Sequence, residues 1–131
     1  MIKKQIRLSN QGKDRLSRLK GKTGIQNWNI LCRWALCYSL HENTMPTDVA
    51  INHDSNVEMS WLTFAGEYHE LYEALLKAWC ENMALPTDES TVAKYFTLHL
   101  ERGIAYLSGT NFVKSIDQLL ELAVKGESNI L

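Results

Sequence analysis

Cysteine, proline and long apolar runs are all scarce in this chain. Its 131 residues contain three cysteines and two prolines. Three cysteines cannot build a disulfide scaffold, and so small a number is typical of a reducing compartment, which leads us to expect a cytoplasmic protein. No apolar run approaches the ~20 residues of a membrane span. No apolar segment follows the basic N-terminus, as it would in a secretory signal.

A complete nucleotide-binding loop is also missing. Gly21-Lys22-Thr23 matches the end of such a loop, but the position five residues before Gly21, where the loop needs a glycine, is Leu16. Two interpretations of the Gly21–Gly24 turn stay open. It accepts one backbone phosphate of a nucleic acid at the start of the next helix, permits close packing between subunits, or does both.

Metal-binding and nucleophilic patterns are absent too. Cys32 and Cys37 are five residues apart, which on a helix turns them roughly 140° from each other, so we expect buried small side chains. His69 and Glu73 are one turn apart, but no second carboxylate–histidine pair completes a di-metal site. We therefore expect no catalytic residue, no metal and no cofactor, and a protein that is not an enzyme.

Acidic residues are almost absent from the first 34 positions. This segment has nine basic residues and one acid, a charge of +8, whereas residues 35–131 carry −9. Lysine and arginine neutralise phosphates and release counterions, so the segment is typical of a surface that binds a polyanion. Its basic residues are Lys3, Lys4, Arg7, Lys13, Arg15, Arg18, Lys20, Lys22 and Arg33.

Residues 1–42 form a basic unit with the predicted order strand, helix, glycine turn and helix. Alternation predicts a strand over residues 1–8, whose outer face carries Lys3, Gln5 and Arg7. A helix is expected from Ser9 to about Lys20, ended by Gly21, with Gly12, Leu16 and Leu19 on its inner stripe. Lys13 and Lys20 then lie on one flank of that stripe, and Arg15 and Arg18 on the other.

The second helix of this unit is predicted over residues 25–42, with Thr23 and Gln26 as a capping box. It is apolar on more than one face and includes Trp28 and Trp34, which favours an oligomer over a monomer. The element order resembles a ribbon–helix–helix unit, in which strands from two subunits enter the major groove.

Residues 43–131 are predicted to be an acidic, helical remainder of the same single domain, 1–131. Residues 48–51 and 57–61 are candidate strands. Helical periodicity predicts three further helices, at about 65–84, from Thr87 to Gly109, and from Asn111 to Gly126. The expected fold class is therefore mainly α, with about five helices and minor β content.

Six segments resemble the DndE family. They are IRLS at 6–9, GKDRL at 12–16, LKGKTG at 19–24, WNILCRWA at 28–35, WLTFAGE at 61–67 and GIAYL at 103–107. The resemblance implies a bacterial accessory protein of DNA phosphorothioation, the replacement of a non-bridging phosphate oxygen by sulfur. Its implied partners are a cysteine desulfurase, the iron–sulfur protein DndC and the ATPase DndD, which supply the chemistry.

The resemblance also implies binding to duplex DNA, especially nicked duplex, and a homotetramer. Carried onto this chain, the DNA contacts are Lys3, Lys4, Arg7, Lys13, Arg15, Arg18, Lys20 and Lys22. Oligomerisation is assigned to Gly21 and Gly24 and, on the apolar second helix, to Trp28 and Trp34. Two alternatives stay open. One is a helical adaptor whose acidic face docks DndC or DndD, and the other is a ribbon–helix–helix repressor that reads DNA with Gln5 and Arg7.

Overall fold

The computed structural model describes residues 5–109 and 115–121. Its first three elements are β1 (Gln5–Arg7), α1 (Asn10–Thr23) and α2 (Trp28–His41). This confirms the predicted order of strand, helix and helix. Ser9 begins α1 as expected, because its Oγ accepts a hydrogen bond from the N–H of Gly12 at 2.9 Å.

Two predicted helix boundaries in this region are wrong. The helix α1 continues past Gly21 and ends at Gly24, whose φ of +77° lets its N–H donate to the carbonyl of Lys20. Thr23 belongs to α1 and donates from Oγ1 to the Leu19 carbonyl at 2.8 Å, so it does not cap the next helix. That helix begins three residues later than predicted, after Asn27.

The strand β2 (Glu58–Ser60) pairs antiparallel with β1 and places Gln5 opposite Ser60 and Arg7 opposite Glu58. The predicted strand at 57–61 is thereby confirmed in its central residues. The strand predicted at 48–51 is wrong, since that segment forms no strand. In β1, Ile6 is buried while Gln5 is exposed, as the alternation predicts.

The remaining elements are α3 (Trp61–Ala65), a single 3₁₀ turn (Gly66–Tyr68), α4 (His69–Asn82) and α5 (Glu89–Leu107). The helix predicted at 65–84 therefore starts only at His69, because Gly66, with a φ of +62°, interrupts the helical backbone. Asp88, and not Thr87, caps α5 by accepting from the N–H of Thr91 at 3.2 Å. Residues 116–121 are helical, and the rest of the last predicted helix lies outside the described residues.

The core is built around the contact between α2 and α5. Gly103 lies so close to α2 that an added Cβ would be 1.9 Å from the carbonyl oxygen of Ala35. Beside this contact, Trp61, Phe64 and Phe96 pack with ring centroids 5.3 to 5.5 Å apart. Within the described ranges no helix has the length and apolar character that crossing a membrane requires. The mainly helical fold with one small sheet confirms the expected fold class.

Candidate nucleic-acid interface

The helix α1 is fixed in place by its inner stripe and by one carboxylate. Leu16 and Leu19 are fully buried, as the periodicity predicts. At the N-terminus of α1, Glu101 of α5 accepts a hydrogen bond from the backbone N–H of Ser9 at 2.9 Å. Gly12 makes room for this carboxylate, since a Cβ there would lie 2.5 Å from Glu101 Oε2. The negative charge also favours the positive end of the helix.

One flank of α1 carries three cations that have no acidic partner among residues 5–109 and 115–121. Arg15, Arg18 and Lys22 follow the spacing i, i+3, i+7, which places them on one side of the helix. In the part of the chain that the structure describes, none of them forms an ion pair. Arg15 also lines a cleft of about 680 Å³ between α1, the 46–54 segment and α5. Arg18 and Lys22 do not line that cleft.

The other flank carries two lysines that are held by neutral partners. Lys13 donates from Nζ to Asn56 Oδ1 at 2.6 Å. Lys20 places Nζ 4.2 Å from the ring centroid of Trp28, within the range of a cation–π contact. Both contacts orient the side chains, and no described acidic residue compensates their charges, so this flank also contributes positive potential.

Arg7 differs from the cations of α1 because its charge is paired within the chain. Its Nη2 lies 2.5 Å from Glu58 Oε2, and its Nη1 donates to the Ser55 carbonyl at 2.9 Å. The strand that carries it pairs with β2 of the same chain. The ribbon–helix–helix repressor instead pairs this strand with a second subunit, so the observed pairing speaks against that alternative. The predicted contacts Lys3 and Lys4 lie outside the described residues.

The two glycines of the turn have different surroundings. Gly24 needs its left-handed conformation to end α1. Gly21 lies in the last part of α1 in helical conformation and is exposed, and a Cβ added to it would have no neighbouring atom within 4 Å. Nothing within the described part of the chain therefore requires a glycine at position 21. Trp28 and Trp34 pack against the core and remain partly exposed.

Arg33, the remaining cation of the basic segment, is part of the scaffold. Its guanidinium donates to the carbonyls of Phe64 and Thr63, the latter at 3.2 Å. These bonds hold α3 against α2. Arg33 is thus engaged with backbone acceptors and does not belong to the flanks of α1.

Two of the three cysteine thiols, all of which lie in the described residues, are buried. Cys32 is buried as expected, whereas Cys37 is exposed, which corrects the prediction for that residue; Cys80 is also buried. Burial, reinforced by the nearby Glu101, raises the pKa of the Cys32 thiol to about 12. Over the described ranges, no three His, Cys, Asp or Glu side chains are grouped so that they can hold a metal ion.

The family follows from comparison with known proteins. A family model described as DNA sulphur modification protein DndE matches residues 5–115. The chain belongs to the DndE family.

Solved structures of DndE proteins share this fold. The crystal structure of DndE from Escherichia coli B7A, involved in DNA phosphorothioation modification, is 29% identical, with a TM-score of 0.66. The alignment covers 82% of this chain and 98% of that one. The DndE G21/24K mutant is 24% identical with a TM-score of 0.60, and the alignment covers 80% and 98% of the two chains. The search of curated proteins found no match.

Two features of this DndE family member escape sequence reasoning. The contact between Lys20 and Trp28 is not expected, because the aromatic residues follow core spacing. Glu101 reaches α1 from a position 92 residues away in the sequence. Gly12 on the inner stripe of α1 is the one local signal of that approach, since a glycine inside a helix indicates a close neighbour.

Proposed function

We propose that this chain is a non-catalytic accessory protein of DNA phosphorothioation that binds duplex DNA, preferentially nicked duplex, through α1. Family membership supports the role in DNA sulfur modification. The observation that carries the DNA-binding part is the flank of Arg15, Arg18 and Lys22, three cations without an acidic partner in the described ranges. Lys13 and Lys20 widen the same positive surface.

The proposed contacts are to phosphates and not to base edges. Lysine and arginine on a helix flank neutralise the backbone and fix the position of a protein on the duplex without reading sequence. Arg7, one of the two strand side chains considered for base contact, is bound to Glu58. Binding is therefore expected to depend steeply on salt and weakly on sequence.

A homo-oligomer, in our proposal a tetramer, gives the preference for nicks a physical reason. Several basic surfaces held together can bend the duplex, and bending costs less where one strand is interrupted. The exposed Gly21, at which the described chain leaves open space, supports close approach at this surface by a second copy or by a phosphate. Sulfur transfer and ATP hydrolysis are assigned to the partners, the cysteine desulfurase, DndC and DndD.

A matched pair of double variants tests the DNA-binding surface. Arg18→Ala with Lys22→Ala removes two charges from α1, whereas Lys77→Ala with Lys94→Ala removes two charges from α4 and α5. The α1 variant is expected to lower the slope of log affinity against log salt by about 2 for each subunit that contacts the DNA, because each phosphate contact contributes about 0.9. The control variant is expected to keep the slope of the native protein. Equal slopes for the two variants would remove α1 as the binding surface.

A further inference from the structure

The helix α4 has an apolar stripe on its outer side in addition to the face that it buries. Leu76 and Trp79 are 0% and 5% exposed and pack into the core. On the adjoining side, which faces solvent, Tyr68, Leu71 and Leu75 are 60%, 54% and 43% exposed. Leu71 and Leu75 are one turn apart on α4, and Tyr68 is the last residue of the 3₁₀ turn that leads into it. The outer side of a surface helix is ordinarily polar, so an exposed apolar stripe there indicates a surface that binds a partner.

Small residues lie next to the stripe and leave its surface accessible. Ala74 and Ala78 are exposed on the same side of α4. Side chains of this size let the backbone of a second helix approach closely. We call this surface, formed by Tyr68, Leu71, Ala74, Leu75 and Ala78, the outer face of α4.

Acidic side chains border the outer face. Residues 66–82 contain four acids, of which Glu67, Glu70 and Glu81 are exposed, and one basic residue, Lys77. With histidine neutral, this segment carries a charge of −3. A partner with basic side chains beside its apolar stripe would meet complementary charge on this rim.

Within its described residues, a second copy of the chain supplies no apolar helix stripe with basic neighbours, since the exposed Ile116 and Leu120 lie beside Asp117 and Glu121. Two α4 helices facing each other would bring their acidic rims together. The helix α1 is basic, but its outermost residues Asp14, Arg18 and Gly21 offer no apolar side chain. The outer face of α4 therefore fits a helix from a different protein.

We propose that the outer face of α4 docks an amphipathic helix of another protein, whose apolar stripe is flanked by lysine or arginine. The binding mode is a helix laid onto an apolar helix face, with anchors at the i, i+3 and i+7 positions. The site is separate from the cations of α1, and its test uses no DNA, so it stands or falls independently of the function proposed above.

Two synthetic helical peptides probe this site on the full-length protein. One carries a leucine stripe flanked by lysines, and the other has glutamate at every lysine position. NMR amide shifts of the isotope-labelled protein locate the binding, and fluorescence anisotropy of the labelled peptides measures it. The lysine peptide is expected to shift the amides of α4, and the glutamate peptide to leave them unchanged.

Three double variants of the protein make the test specific. Leu71→Ser with Leu75→Ser is expected to weaken the lysine peptide by about tenfold or more, because two aliphatic contacts are lost. Met45→Ser with Val49→Ser alters two apolar side chains of similar exposure, 47% and 52%, outside α4, and is expected to keep the native affinity within about twofold. Glu70→Lys with Glu81→Lys is expected to reverse the preference between the peptides.

Three results would overturn the proposal. The first is equal binding of both peptides to the native protein. The second is native affinity in the Leu71→Ser, Leu75→Ser variant while circular dichroism shows it folded. The third is a smaller sedimenting species for that variant without peptide, which would assign the outer face to a second copy of the chain.

Discussion

Gly21 and Gly24 have different backbone conformations, so replacing each with alanine is expected to change the stability in opposite directions. Gly24 ends α1 at φ +77°, where a side chain is strained, so we expect Gly24→Ala to lower the free energy of unfolding by about 1 kcal/mol. Gly21→Ala is expected to raise it by about 0.5–1 kcal/mol, because alanine favours an exposed helical position. Urea unfolding of both variants measures the difference. A destabilising Gly21→Ala would contradict this expectation and show that the fold or a subunit contact needs that glycine.

His99 is a second residue whose environment has a measurable consequence. It is fully buried on α5, with Nδ1 2.8 Å from Ser39 Oγ, and Arg102 Nε donates to the same hydroxyl at 2.8 Å. Because Arg102 already donates to it, the hydroxyl can donate to Nδ1, and the imidazole stays neutral. Burial, and then the charge of Arg102, lower the pKa of His99 to about 4 from 6.5.

The sign of the resulting pH dependence follows from proton linkage. Between pH 6.5 and 4 the unfolded chain binds a proton that the folded His99 does not, so stability falls as the pH falls. The His99 contribution is complete above pH 6.5 and amounts to roughly 3 kcal/mol over the window. In urea unfolding, the difference in stability between the native protein and His99→Gln is expected to shrink by about 2 kcal/mol from pH 7 to pH 5. Parallel pH profiles would contradict this role for His99.

At the scale of the elements, the contact between α2 and α5 leaves no room for a side chain at position 103. A methyl group on Gly103 would clash with the carbonyl of Ala35, which belongs to a rigid helix backbone. We expect Gly103→Ala to lower the free energy of unfolding by about 2 kcal/mol or more, because the two helices must separate. Gly21→Ala is the matched control, since it makes the same change at an open helical position. Similar unfolding midpoints for these two variants would be inconsistent with the packing described.

The elements also show how far the sequence alone predicts the structure. The buried stripe of α1 and the single buried position of β1 follow from periodicity, which depends on local spacing. The break before α4 does not, because Ser60 caps a helix there that lasts only five residues and Gly66 then interrupts the chain. The segment 48–51 has strand-like composition without forming a strand, since pairing depends on a neighbour that no local pattern specifies.

The sequence predicts that the candidate site lies in a basic segment. It does not predict which cations of that segment are bound by other residues of the chain. Charge counting along residues 1–34 finds the basic helix. It does not find that Arg7 is paired with Glu58, 51 residues away, or that Arg33 binds the carbonyls of α3. Both depend on tertiary neighbours. In the structure, Arg7 and Arg33 are thus bound by other groups of the chain. The cations on one flank of α1 have no acidic partner in the described ranges.

At the scale of the whole molecule, the positive charge is concentrated in the first 34 residues, whereas the acids are spread over the rest of the chain. Close approach of copies at α1 would be sensitive to a side chain at position 21. We expect Gly21→Gln to sediment as a smaller species than the native protein. Ser90→Gln, which adds the same side chain at an exposed position of α5, is the control. Equal sedimentation of the two variants would exclude Gly21 from the subunit contact.

The most direct measurement of the central claim is fluorescence anisotropy of labelled duplexes, intact and singly nicked, across a series of salt concentrations. The account predicts tight binding at low salt, a steep loss of affinity as salt rises, and a preference for the nicked duplex. Equal affinity for both duplexes would contradict the preference for nicks. No binding to either duplex at low salt would contradict the assignment of α1 as a DNA-binding surface.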